Sequence, residues 1–108
     1  MAVTTLWGSI NANGSIKRSG GGFSVTRQEK GQYTISFRAL FQNIPSVVAT
    51  QTNFGSLGEK TTDTVVVPLL DSGSATVLTG DNNGDHQDRS FSFIAIGNTG
   101  AANPQFKE

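Results

Sequence analysis

The chain alternates short apolar stretches with turn-forming residues, and no stretch has the 3.6-residue period of an amphipathic helix. Residues 23–26 and 33–37 each alternate apolar with polar side chains, as a strand does when one of its faces is buried. Gly31 lies between these two segments, at a position where a hairpin loop often needs a left-handed residue. The pattern therefore predicts a β-hairpin over this part of the chain.

Turn-forming residues divide the rest of the chain into further predicted strands. Asn13-Gly14 tolerates positive φ angles and predicts a tight turn. Pro45 ends a strand because it has no backbone N–H to donate, and Pro68 indicates a sheet edge or a bulge. The other predicted strands cover residues 6–10, 15–18, 46–52, 61–70, 75–78 and 89–96, with loops at residues 53–60 and 81–88 and a turn at residues 71–73.

These elements predict an all-β fold, a small antiparallel β-sandwich of about six to eight strands. The length of 108 residues fits a single domain. We assign the sandwich to residues 1–97 and a polar C-terminal tail to residues 98–108. The tail is expected to be a loose end or a strap along a neighbouring copy, where Phe106 would anchor it.

The alternation of apolar and polar residues fails at three places: Val47-Val48, residues 65–67 and Phe93-Ile94. A bulge explains one such place, but three together favour a second buried surface. A chain this small finds such a surface most readily in a copy of itself, so we expect a homo-oligomer. The alternative is that central strands are covered on both faces within one chain.

Composition narrows the possible partners. Eight basic residues balance eight acidic ones, so nucleic acid and anionic membranes are not expected as partners. The absence of Cys excludes disulfides and thiolate metal sites. The sequence contains no run of 18 apolar residues, so we expect no membrane insertion. The N-terminus lacks the basic start and long apolar run of a signal peptide, so we expect a cytoplasmic or phage-virion location rather than secretion.

Catalysis and metal binding have little support in the sequence. His86 is the single histidine, and the acids and serines near it are expected by chance in so polar a loop. Asp81, Asn83 and Asp85 match the first ligands of a calcium loop, but His86 and Ser92 stand where such a loop needs Gly and Glu. We therefore expect no enzyme activity, no cofactor and no metal, and a hairpin connection with Asx turns instead.

The same loop suits sugar binding. Carboxylate, amide and guanidinium groups match sugar hydroxyls, and an aromatic face matches the apolar side of the ring. Trp7, Tyr33 and Phe54 are candidates for that aromatic face, although each also fits a core or interface position. The candidate ligand-binding residues are Asp81, Asn83, Asp85, His86, Asp88 and Arg89.

The order of segments over residues 6–97 resembles the H-type lectin domain. That family forms trimers of β-sandwiches that bind galactose-type sugars in loops near protomer boundaries. A second resemblance is to trimeric tip domains of phage tail fibres, from the residues at 22–27, 33–37 and 91–97. The segments that carry the lectin resemblance are WGSI (7–10), YTISF (33–37), Pro45 with Val47-Val48, residues 64–73 and SFSFIAI (90–96).

The resemblance implies a homotrimer that binds a glycan, either as a lectin or as a receptor-binding tip. The alternative is a structural trimer, such as a virion or fibre component without a small-molecule ligand. The chain departs from the lectin pattern at its sugar site. The early loop has no clear Asp, Asp63 stands where an Arg is expected, and His86 has no Trp beside it. A bound sugar would therefore differ in kind from that of the lectins.

Overall fold

The computed structural model describes residues 2–38, 41–52 and 60–99. It confirms the all-β prediction, because the chain forms two four-stranded antiparallel sheets packed as a small sandwich. The predicted loop at 53–60 lies outside the described residues except for Lys60, as does the tail beyond Thr99. The strands are β1 (Ala2–Ile10), β2 (Ile16–Ser19), β3 (Phe23–Glu29), β4 (Gln32–Phe37), β5 (Ser46–Gln51), β6 (Val65–Leu70), β7 (Ser74–Thr79) and β8 (Phe91–Thr99).

Both sheets bring together strands that are distant in the sequence. Sheet A has the order β2-β1-β8-β5, and sheet B has the order β3-β4-β7-β6. In sheet A, β1 pairs with β8 over the full length from Ala2↔Thr99 to Ile10↔Phe91. The first and last described strands therefore lie side by side at the centre of sheet A.

Large aromatic side chains fill the space between the sheets. Phe93 on sheet A meets Phe23 on sheet B edge to face, with ring centroids 4.9 Å apart. Tyr33 and Phe91 lie 5.1 Å apart across the same interface. Burial of each such ring stabilises the fold by about 1.5–3 kcal/mol. The buried apolar core consists of Leu6, Ile10, Phe23, Tyr33, Ile35, Phe37, Phe41, Ala75, Val77, Phe91, Phe93 and Ala95.

The predicted hairpin at Gly31 is confirmed. β3 and β4 pair from Phe23↔Phe37 to Arg27↔Tyr33, followed by a bulge before Glu29. Gly31 has φ +71°, the left-handed conformation expected of it. The Gly31 amide donates to Asp88 in the loop before β8, and the Gly31 carbonyl accepts the Thr79 amide of β7. This turn therefore joins the hairpin to the end of the sandwich.

Strand boundaries depart from the predictions where the residues are polar. β6 begins at Val65, because the Asp63 amide donates to the Lys60 carbonyl and turns the chain there. Pro68 lies on an edge strand at an irregular register, as predicted. β8 runs on to Thr99, so Asn98 and Thr99, which were expected in the tail, pair with β1.

Within the described residues there is no helix long and apolar enough to cross a bilayer.

Substitution of Gly31 tests the turn. A Cβ at this position would lie 2.7 Å from the Thr79 carbonyl oxygen and 2.9 Å from the Gln87 amide nitrogen. Gly84 has a similar φ of +85° but no atom within 4 Å of its added Cβ. Gly84→Ala is expected to cost about 1 kcal/mol from its backbone angle alone, and Gly31→Ala about 3 kcal/mol. Urea unfolding of both variants would measure the difference, and equal costs would contradict this account of the turn.

Candidate functional site

The loop between β7 and β8 is a compact hairpin built on Asp81. Gly80 and His86 form a bridge across its base. The Asp81 amide donates to the Asp85 carbonyl at 3.0 Å, and the Asp81 carboxylate accepts the amides of Asn83 and Asp85 at 2.9 and 3.0 Å. These backbone hydrogen bonds lower the pKa of Asp81. The loop is thus the Asx-turn connection that the sequence offered as an alternative to a calcium site.

Asp88 holds the other side of the same loop against sheet B. Its Oδ1 accepts the Gly31 amide at 2.8 Å, and its Oδ2 lies 2.9 Å from an Arg27 guanidinium nitrogen. Arg27 Nε donates to both carboxylate oxygens at 3.0 Å. The Arg27 hydrogen bonds, more than any other contact, lower the pKa of Asp88. This carboxylate therefore ties β3, the Gly31 turn and the loop together.

Buried hydroxyl groups fix the loop backbone. Thr79 Oγ1 donates to the Gln87 carbonyl at 2.6 Å. Tyr33 is buried within the core, and its phenol donates to the Ala12 carbonyl at 2.6 Å. The Arg89 carbonyl lies 3.4 Å from the same phenol oxygen. One end of the sandwich, formed by this loop and the turn before β2, is consequently held by specific hydrogen bonds.

The six candidate ligand-binding residues separate into two groups. Asp81 and Asp88 use their carboxylates within the loop and its support, and Arg89 is half-buried close enough to Asp81 to lower the pKa of that carboxyl. The other three are exposed along the outer part of the loop, and no side-chain hydrogen bond joins them to another described residue. These three are Asn83, Asp85 and His86.

The aromatic face required by a sugar site is not beside this loop in the described part of the chain. Tyr33 is fully buried, and Phe54 lies outside the described residues. Trp7 is 42% exposed, but it is opposite Ile94, three register positions from the Phe91 end of β8. Three strand residues span about 10 Å, so the indole and the loop do not converge on one small ligand.

The same described residues contain no group of three or more His, Asp or Glu side chains arranged to hold a metal ion. The carboxylate of Asp81 accepts two backbone amides, so an ion bound to this carboxylate would have to displace those hydrogen bonds.

The outer face of sheet A carries apolar side chains that nothing within the described chain covers. Trp7, Ile94 and Val48 stand in one row across β1, β8 and β5, because Ile94 pairs with both of the others. Ile94 is 50% and Val48 70% exposed. Ile96, two register positions from Ile94 on the same face, extends this patch. We call Trp7, Val48, Ile94 and Ile96 the sheet A patch.

The outer face of sheet B is different in character. Three of its four strands, β3, β4 and β7, present rows of hydroxyl groups, with Ser24, Ser36 and Ser74 in one row. Thr26, Thr34 and Thr76 form the next row. These hydroxyl rows are compatible with water, and the exposed apolar side chains of this face are confined to β6, at Val66 and Leu69. The larger number of exposed apolar strand residues lies on sheet A.

The three places where alternation fails do not form one surface. Val48 and Ile94 are neighbours on sheet A, whereas Val66 projects from the outer face of sheet B with 52% of its surface exposed. The alternative that central strands cover both faces within one chain does not hold at Val48, Val66 and Ile94, which are at least half exposed. The sequence pattern did not lead us to place Trp7 on the same outer face as Ile94. The signal was present, because Trp7 follows the buried Leu6 and successive strand residues point to opposite faces.

Comparison with known proteins assigns no family, because no family model, no curated protein and no solved structure matches this chain.

The role of Asp88 in the loop support can be tested by Asp88→Asn. We expect a loss of about 1 kcal/mol in the free energy of unfolding at pH 7, because the variant keeps an acceptor for Gly31 but loses the ion pair, which is partly screened by solvent. The lowered pKa of Asp88 means that its contribution is present above its unfolded pKa and is lost as the pH falls below about 4. The deficit of the variant should therefore shrink towards pH 3.

Asp85→Asn is the matched control, since Asp85 is exposed in the same loop. Denaturant unfolding at both pH values should show little change for this variant. A deficit in Asp88→Asn that stays constant with pH would rule out the ion pair as its cause.

Proposed function

We propose that the protein is a homo-oligomeric structural subunit whose copies pack through the sheet A patch. The observation that supports this most is the row of Trp7, Ile94 and Val48, three apolar residues in register on neighbouring strands, on a face that no other described strand covers. A contiguous apolar patch on a small domain is typical of an interaction surface. A module of this kind fits a fibre or virion component.

The character of the patch favours a second copy of the chain as the partner. The pair of sheets presents one apolar and one hydroxyl-rich outer face, so two copies can cover their apolar faces and leave the hydroxyl rows to water. Aromatic and aliphatic side chains at its centre are the residue types that dominate interface energetics. The resemblance to lectin and fibre-tip domains adds the expectation of three copies, which the mass in solution decides.

Ile94→Lys should reduce or abolish the association, because an ammonium group would be buried at the centre of the interface. Val66→Lys is the matched control, since Val66 is also β-branched, about equally exposed, and located on the outer face of sheet B. Light scattering coupled to size-exclusion chromatography would measure the mass of each variant. A wild-type monomer would overturn the proposal, as would equal effects of the two substitutions.

A second proposal is glycan binding by the outer part of the loop, through Asn83, Asp85 and His86. Two observations favour it. Asp81 and Asp88 hold the loop backbone in place, so the backbone positions that carry the three exposed side chains are preorganised. The loop also leads directly into β8, and hence towards the end of the sheet A patch, which would place the sugar near a boundary between copies.

His86→Ala and Asp85→Ala should each abolish glycan binding and leave the oligomer intact, because both side chains are exposed and neither belongs to the sheet A patch. A glycan array on material of known mass provides the measurement, with Val66→Thr as a surface control. Binding retained in both variants would exclude this site. A folded oligomer that binds no glycan would leave the structural function as the proposal.

A further inference from the structure

Three of the four edge strands in the sandwich carry features that block pairing with another strand. β2 is four residues long and contains Lys17 and Arg18. β3 contains Arg27 and Glu29 with a bulge between them, and β6 contains Pro68 at an irregular register. Short length, charge, proline and bulges are the devices by which proteins keep sheet edges from associating.

β5 (Ser46–Gln51) has none of these features. Its sequence SVVATQ contains no charge and no proline, and its register with β8 is regular throughout. No other described strand pairs with its second side. Gln51 fixes the end of the strand to the opposite sheet, because its Nε2 donates to the carbonyls of Thr64 and Gly80 at 2.6 and 2.7 Å. Among the described residues, β5 is therefore an ordered edge strand with no strand paired to its outer side.

The direction of the β5 backbone groups follows from two hydrogen bonds. The Thr52 amide donates to the Ser90 carbonyl, one register step beyond Gln51↔Phe91. Because antiparallel pairs alternate, the amides of even-numbered residues in β5 face β8, and those of Val47 and Ala49 face the free edge. The hydrogen bond from the Gly20 amide to the Trp7 carbonyl agrees with this alternation. It shows that the backbone groups of Trp7 face away from its partner Ile94, so those of Ile94 face β5.

We infer that β5 pairs with β5 of a second copy across a two-fold axis at Val48, which extends sheet A from four strands to eight. This inference deepens the proposed self-association by naming the edge through which it begins. In this register Val47 and Ala49′ exchange both backbone hydrogen bonds, as do Ala49 and Val47′, where the prime marks the second copy. Val48 then faces Val48′ and Ser46 faces Thr50′ on the outer side.

Two further features favour a second copy over another partner at this edge. An uncharged strand can pair with itself without placing like charges opposite one another, whereas self-pairing of β2 would oppose its own cations. The register at Val48 also makes the rows of the two copies continuous, so that Trp7, Ile94 and Val48 meet Val48′, Ile94′ and Trp7′ across six strands. The sheet A patch is doubled by the pairing.

Ala49→Pro tests the inference, because it removes the outward amide without removing a bond to β8, and proline is tolerated on edge strands. We expect the dissociation constant to rise by about 30-fold or more, since two of the four new hydrogen bonds are lost. Ala49→Ser keeps the amide and should associate like the wild type. Sedimentation equilibrium would measure both constants, with circular dichroism as a check that each variant is folded.

The outcomes separate this inference from the proposed function. A wild-type mass of two, four or six copies supports it, whereas three copies would contradict it, because a closed two-fold interface requires an even number. Association lost in Ile94→Lys but unchanged in Ala49→Pro would overturn the edge pairing and leave the face contact standing. A wild-type monomer would overturn both.

Hydrogen exchange on the wild type gives an answer that does not depend on the folding of Ala49→Pro. The amides of Val47 and Ala49 should become protected as the protein concentration is raised, while amides of the Asn83 turn should not change. Rapid exchange at Val47 and Ala49 in the associated protein would overturn the inference.

Discussion

A strand directs alternate side chains to opposite faces, and a sandwich of two sheets covers only the inner face of each. In sheet A the inner positions of β8 are Phe91, Phe93 and Ala95, all buried in the core. The intervening positions include Ile94 and Ile96, for which the described chain has no third layer. The same alternation that builds the core therefore leaves apolar side chains at the surface.

The polar end of the molecule follows from a second requirement, that backbone amides in tight loops find acceptors. Asp81 accepts two such amides, and Asp88 accepts one while it pairs with Arg27. Once these carboxylates are used in this way, they hold the loop rather than a ligand. Of the six candidate residues, only Asn83, Asp85 and His86 are exposed, and the proposed glycan site is correspondingly smaller than the sequence suggested.

Sequence could predict the strands whose two faces differ in polarity, such as the hairpin around Gly31, and it located Pro68 correctly at an irregular edge. It could not predict the start of β1 or the end of β8. Thr4 and Thr99 give no alternation, and they are held in strands by backbone pairing and a hydroxyl contact of 2.6 Å across 95 residues. Nor could it separate a carboxylate that caps amides from one that meets a ligand, because both are simply Asp in a polar loop. That distinction depends on Arg27 and Gly31, which are distant in sequence from Asp88.

Val48 belongs both to the β5 edge and to the outer face of sheet A, so it connects these two surfaces. An edge strand without charge or proline is a liability for uncontrolled association unless something pairs with it. Among the described strands, β2, β3 and β6 carry features that oppose edge pairing and β5 carries none, and β5 lies at the end of the apolar row. Strand pairing at β5 would satisfy the open amides and also enlarge the apolar face that further copies could cover. The hydroxyl-rich face of sheet B would then form the outer surface of the assembly, with the Asp81 loop at its end.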